Sequence, residues 1–170
     1  MTRVPRLLLI GLLSLLALVA LAAALFAYFL YTPEPELPRL SGTLSKASMN
    51  VAGVERSYRT YVPKGLPKGA PLVLVMHGSG EGPQAIRVGT GYGFERLADQ
   101  HGFAVAYPKS FGFDWNDCSS IGNTAVDGVR ADDAGFLAAL VEKLVGEIGV
   151  DPNRVFAAGV SNGGSMALRL

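Results

Sequence analysis

The hydrophobic pattern divides the chain into three unequal parts. Leu7 to Tyr31 is an apolar run without a charged residue, long enough to cross a bilayer as one tilted helix. Pro33, Pro35 and Pro38 follow, close enough together to prevent a helix and hold the backbone extended. From about residue 41 onward, apolar positions come in shorter runs at strand and helix spacing. The predicted organisation is therefore a transmembrane anchor or signal segment over 1–31, a proline-rich linker over 32–40, and a folded domain over 41–170.

Within the domain, Ser57, Arg59 and Tyr61 alternate with Tyr58, Thr60 and Val62, which predicts a pleated strand. Residues 44–62 read as two strands joined at Ala52-Gly53. Leu72-Val73-Leu74-Val75-Met76 is a short continuous apolar run, as expected of a strand covered on both faces. It ends in the turn His77-Gly78-Ser79-Gly80-Glu81-Gly82-Pro83. Phe94 to His101 predicts a helix closed by Gly102, and Phe103 to Tyr107 a second buried strand ended by Pro108. A polar loop then runs from Lys109 to about Arg130.

Asp132 to Glu147 is the strongest helix signal. Leu137, Leu140, Val141, Leu144, Val145 and Ile148 recur at spacings of three and four and form one apolar face. Acidic residues open this helix, as its dipole prefers, and Gly149 closes it. After the turn Asp151-Pro152-Asn153, Val155 to Ala158 reads as another buried strand, and a helix starts just past Ser161. Buried strands alternating with helices predict an α/β domain with a mostly parallel sheet and right-handed crossovers.

Charge narrows the choice of partners. The formal net charge is +1, with 15 basic and 14 acidic residues. Setting aside Arg3 and Arg6 before the apolar run leaves 13 basic against 14 acidic, with no basic stripe, so no nucleic-acid partner is expected. Those two arginines favour a cytoplasmic N-terminus and an exported domain. Ala22-Ala23-Ala24 resembles a signal-cleavage site, but apolar residues continue beyond it, which favours an uncleaved single-pass anchor over a secreted product. A single cysteine, Cys118, allows no internal disulfide, and with His77 and His101 it makes no structural zinc set.

Candidate chemistry centres on Gly159-Val160-Ser161-Asn162-Gly163. It fits G-x-S-x-G, and its setting between a strand and a helix is the one in which a tight turn pushes a serine hydroxyl out as a nucleophile. A second glycine loop, His77-Gly78-Ser79-Gly80, ends the first buried strand. Its backbone N–H groups are placed to meet a developing oxyanion together with that of Asn162. Ser79 is the first choice of donor and Gly80 the second. The spacing of Gly78, Gly80 and Gly82 does not fit a dinucleotide loop. His77 precedes the serine and reads as a structural histidine, and His101 as a surface or capping residue. Trp115 either lines a substrate groove or pins its long loop. Asp132 and Asp133 read as helix-capping residues rather than catalytic acids.

Together, Arg59-Thr60-Tyr61-Val62-Pro63, Pro71 to Gly78, Trp115-Asn116-Asp117, Asp132 to Leu137 and Arg154 to Gly164 resemble the polyhydroxybutyrate depolymerase-like esterases. These belong to the α/β-hydrolase superfamily, with feruloyl- and acetylxylan-esterase-type enzymes beside them. The resemblance runs from about residue 44 to the end. It implies an exported serine esterase acting on a polyester or a plant-type ester, with Ser161 as nucleophile, the Ser79 and Asn162 amides as oxyanion donors, and no cofactor or metal. It also implies an aspartate and a histidine after the serine, and a further cysteine just beyond the elbow as the partner of Cys118. The chain ends at Leu170, so the expectation is the N-terminal part of such a domain, with an incomplete sheet and little hydrolysis by itself. An acyltransferase of the same fold and a non-catalytic surface-binding domain are the rival expectations.

Overall fold

The computed structural model describes residues 3–30, 33–118, 125–126, 129–130 and 132–170. It divides into two units, Met1–Glu34 and Pro35–Leu170. The first consists of α1 (Arg3–Leu30). Its stretch Pro5–Phe29 has a mean hydropathy of 2.8 and is long and apolar enough to cross a membrane. Leu, Ala and Phe favour this helix intrinsically or tolerate it, and with no polar face it has nothing to turn toward water.

The second unit is built on a five-stranded sheet in the order β1-β2-β4-β3-β7. β1 (Thr43–Val51) and β2 (Val54–Val62) form an antiparallel hairpin, with Ala52 at φ 51° and Gly53 at φ 84° making the turn. β2 then pairs antiparallel with β4 (Ala104–Pro108). β3 (Leu72–Met76) lies parallel to β4 on one side and to β7 (Val155–Gly159) on the other. The parallel arrangement expected from the buried runs thus holds for β4, β3 and β7, and the hairpin adds an antiparallel edge.

Helices cover both faces, and the two-residue period of the strands sorts the core between them. One face carries Leu72, Leu74, Met76, Ala104 and Ala106, packed against Phe136, Leu137, Leu140 and Leu144 of α4 (Asp133–Ile148) and Met166 of α5 (Asn162–Arg169). Burial of each such leucine stabilises the fold by about 1.5–3 kcal/mol. The other face carries Val75, Val105 and Tyr107 against Ile86 of α2 (Pro83–Gly89) and Ala98 of α3 (Gly93–His101). α2 starts at Pro83, the last residue of the expected turn, and covers positions to which the sequence assigns no element. Pro83 occupies its first turn, where a missing N–H costs nothing.

Local chemistry fixes the helix ends. Asp132 caps α4, its carboxylate accepting from the Gly135 amide at 2.9 Å, and Gly149 closes it in the left-handed region. Asp133 is buried and ion-paired with Arg56 of β2. The polar loop after β4 contains a short two-stranded ribbon, β5 (Ala125–Val126) with β6 (Val129–Arg130). The remainder of that loop, 119–124, 127–128 and 131, lies outside the described residues, as do 31–32 at the end of the expected anchor.

Candidate active site

β3 and β7 run parallel in a register that pairs Met76 with Gly159, so the two neighbouring strands end level. The chain leaving β7 is held there by the Val160 amide, which donates to the Met76 carbonyl at 3.2 Å. It must then reverse into α5 within two residues. Ser161 makes this reversal at φ 53°, ψ −122°, a backbone conformation that a residue with a Cβ adopts only under strain. Its side chain faces solvent.

The glycines on either side are required sterically. A methyl group on Gly159 would overlap the backbone of Gly163, 2.7 Å from the Gly164 nitrogen. One on Gly163 would lie 2.8 Å from the Met76 carbonyl carbon and overlap the His77 oxygen as well. α5 therefore sits directly on the end of β3, and a bulkier residue at either position would force helix and sheet apart. The strand–serine–helix turn expected from G-x-S-x-G is present.

The turn after β3 lies beside this elbow. A methyl group on Gly78 would be 3.6 Å from the Val160 carbonyl oxygen, an ordinary contact distance. Of the two candidate donors in this turn, Ser79 and, as second choice, Gly80, the Gly80 amide is already committed, donating to the Phe113 carbonyl at 2.8 Å. Gly80 also needs to be glycine, with φ 68° and the Phe113 ring 2.6 Å from where its Cβ would stand. Gly78 N–H donates to the Glu81 carboxylate at 3.2 Å. The amides of Ser79 and Asn162 have no hydrogen-bond partner among the described residues. The Gly80 amide is thus taken, while those of Ser79 and Asn162 are uncommitted among the described residues.

His77 is fully buried, and both ring nitrogens are engaged. Nε2 accepts from the Ser110 amide at 3.2 Å, which assigns the proton to Nδ1, and Nδ1 donates to the Gly78 carbonyl at 2.7 Å. Burial holds its pKa below the ordinary value. A neutral imidazole with both nitrogens occupied is not available to take a proton from Ser161, as the structural reading required. His101 is exposed at the end of α3.

Trp115 does not line an open groove. Its side chain is completely buried and stacks obliquely on His77 at 5.1 Å between centroids. The pinning alternative describes it, because a residue without accessible surface has none to offer a substrate. Asp133 likewise is no catalytic acid. Besides its ion pair with Arg56, it accepts from the Asn116 amide at 2.7 Å and so fastens the same loop. Arg56, whose guanidinium also lies 4.0 Å over the Phe136 ring, escaped the sequence reading. Its signal was a charge at a strand position whose neighbours Tyr58 and Thr60 share the buried face. Cys118 is exposed, and no group of metal-ligating residues occurs among the described residues.

An exposed serine on a strained turn, at the ends of two adjacent parallel strands, is suited to acyl transfer. A serine hydroxyl so placed can attack a carbonyl carbon.

Comparison with known proteins points the same way. The family model described as Esterase PHB depolymerase matches residues 56–170. The esterase NocK of Nocardia uniformis subsp. tsuyamanensis is 35% identical over 143 residues, covering 82% of this chain and 40% of that protein. A poly(3-hydroxybutyrate) depolymerase of Ralstonia pickettii is 33% identical over 106 residues, covering 58% of this chain and 22% of that protein. Among solved structures, an acetyl xylan esterase from Aspergillus awamori superposes with a TM-score of 0.56 at 25% identity, covering 74% of this chain and 47% of the other. An S-formylglutathione hydrolase from Agrobacterium tumefaciens gives 0.60 at 16% identity, covering 78% and 53%, and shares the fold. The chain thus spans well under half the length of these two curated relatives.

Proposed function

Since this chain belongs to the PHB depolymerase esterase family, we propose that it carries the nucleophile and oxyanion hole of an exported serine hydrolase of carboxylic esters. The observation that carries the reading is the conformation of Ser161. Strain of this kind persists only where the surroundings enforce it, and here it falls on an exposed serine between a strand end and a helix start.

In this mechanism Ser161 Oγ attacks the ester carbonyl carbon. The Ser79 and Asn162 amides donate to the oxygen as it becomes negative, and the alcohol leaves with a proton. Water then attacks the acyl-enzyme and restores the serine. The Ser161 proton passes to a general base, a role for which His77, with both ring nitrogens bonded, is not available. No cofactor enters. Relatives named as poly(3-hydroxybutyrate) and poly(3-hydroxyalkanoate) depolymerases and as acetylxylan esterases favour a polyester or an acylated polysaccharide as substrate. α1 would hold the domain on the extracytoplasmic side of the membrane.

The test is covalent labelling, with a fluorophosphonate, of the protein as its gene encodes it. Ser161 is expected to be modified and Ser161→Ala to remain unlabelled. Equal labelling of the two proteins would overturn the assignment.

A further inference from the structure

Two donors serve an oxyanion only if their separation is held, and here they come from different elements. The Ser79 amide belongs to the turn after β3, and the Asn162 amide to the start of α5. One residue outside both is bonded to both. Trp115 Nε1 donates to the His77 carbonyl at 2.9 Å. The Trp115 main-chain N–H donates to the Asn162 side-chain oxygen at 2.5 Å, and the Asn162 side-chain nitrogen donates back to the Trp115 carbonyl at 3.3 Å. That nitrogen also reaches the Asp117 carboxylate at 3.2 Å.

From these bonds we infer that Trp115 and the Asn162 side chain form a tie that sets the spacing of the oxyanion hole. They act as positioning residues for the ester hydrolysis proposed above, and the inference rests on that reading. The indole and the carboxamide do not touch the reacting atoms. They act through the backbone on which the donors sit.

Three features separate this role from simple loop anchoring. The contacts are polar and directional, whereas a buried indole could pin a loop by packing alone. The side chain of Asn162, the residue that supplies one donor, is itself half of the clamp. On the other side, the His77 ring bonds the carbonyl of Gly78, which shares a trans peptide with the Ser79 amide. Because C=O and N–H point oppositely across a trans peptide, holding that carbonyl inward directs the Ser79 N–H outward. The indole lies against the same ring at 5.1 Å and bonds the adjacent carbonyl, so one aromatic pair fixes the turn from inside.

The experiment compares full-chain wild type with Trp115→Phe and Asn162→Leu. The first keeps an aromatic ring and loses the indole N–H; the second keeps approximate volume and loses the carboxamide. Hydrolysis of p-nitrophenyl butyrate is expressed per fluorophosphonate-labelled site, so that an unfolded fraction does not count. Affinity for phenylboronic acid, which forms a tetrahedral adduct on the serine, is measured beside it. A misplaced donor weakens the tetrahedral state more than the substrate complex. Each variant is therefore expected to lose about tenfold in kcat and about tenfold in boronate affinity, with KM within about twofold. A lower Tm with unchanged kcat per labelled site would overturn the inference in favour of packing. A change in KM alone would overturn it in favour of a binding groove. Absence of label from wild-type Ser161 would instead refute the hydrolase reading and take this inference with it.

Discussion

Arg56 and Asp133 form an ion pair in which each side chain is only 2% exposed, joining the second strand of the sheet to the first turn of α4. Asp133 turns its other oxygen to the Asn116 amide, and Arg56 donates to the Lys109 carbonyl at 3.2 Å. The loop that carries Trp115 is thus tied at its start and its middle to one buried charge pair.

Removing half of such a pair strands the other charge in a dry site. Asp133→Leu is expected to cost about 3–5 kcal/mol, and Arg56→Met a similar amount. The double variant Arg56→Met/Asp133→Leu should recover a large part of either loss, because no uncompensated charge remains. Urea unfolding of the four proteins closes the cycle. Additive losses would show that the pair has no mutual dependence.

The elbow glycines permit a sharper comparison. Gly163→Ala would drive a methyl group into the carbonyls of Met76 and His77, and backbone cannot move aside as a side-chain tip can. A loss of about 3 kcal/mol or more is expected, at the upper end for overpacking. Gly164→Ala meets the Gly159 oxygen at 3.3 Å, a contact that a small shift relieves, and alanine favours the helix by up to about 1 kcal/mol. Denaturation midpoints should place Gly164→Ala near wild type and Gly163→Ala far below it.

These steric demands explain why the elbow was legible in the sequence. A strand that must turn into a helix against another strand's end needs glycine at fixed offsets, so Gly159, Ser161 and Gly163 carry their geometry in their identity. The alternating face of α4 and the apolar runs of β3 and β4 were readable for the same reason: periodicity records which side is buried. Other features depended on partners remote in sequence. Whether Ser79 or Gly80 offers its amide is decided by the Phe113 carbonyl, which takes one of them. Whether Trp115 faces a substrate or the core is decided by His77, thirty-eight positions earlier. α2 was hidden because Gly82 and Pro83 mark turns as readily as helix starts.

His77 links the same turn to pH. Burial is the main cause of its lowered pKa. The nearby Lys109 charge adds to the lowering, and the Gly78 carbonyl and the charges of Glu81 and Asp133 oppose it. Its folded pKa lies below the unfolded value, so the unfolded chain takes up the proton first as pH falls. The stability contribution is full above about 6.5, and it is lost as pH drops from there through the folded value, by at most about 1.4 kcal/mol per pH unit. The difference in urea stability between wild type and His77→Gln should shrink steadily below pH 6.5. A difference independent of pH from 8 to 5 would contradict a buried neutral imidazole.

Ser161 itself offers the most direct test of whether the turn stores strain. At φ 53°, ψ −122° a Cβ is disfavoured whatever group it carries, so Ser161→Ala keeps the strain while deleting the hydroxyl. Ser161→Gly deletes both. If the surrounding structure enforces the conformation, Ser161→Gly gains about 1–3 kcal/mol from the relief, reduced by the greater freedom glycine has in the unfolded chain. The expected order of thermal midpoints is Ser161→Gly above Ser161→Ala, with neither variant labelled by the fluorophosphonate. Equal midpoints would mean that relief and chain entropy cancel or that little strain is held there; the two are separated by Ala52→Gly, an exposed left-handed position at φ 51° that reports the entropy term with far less strain to release.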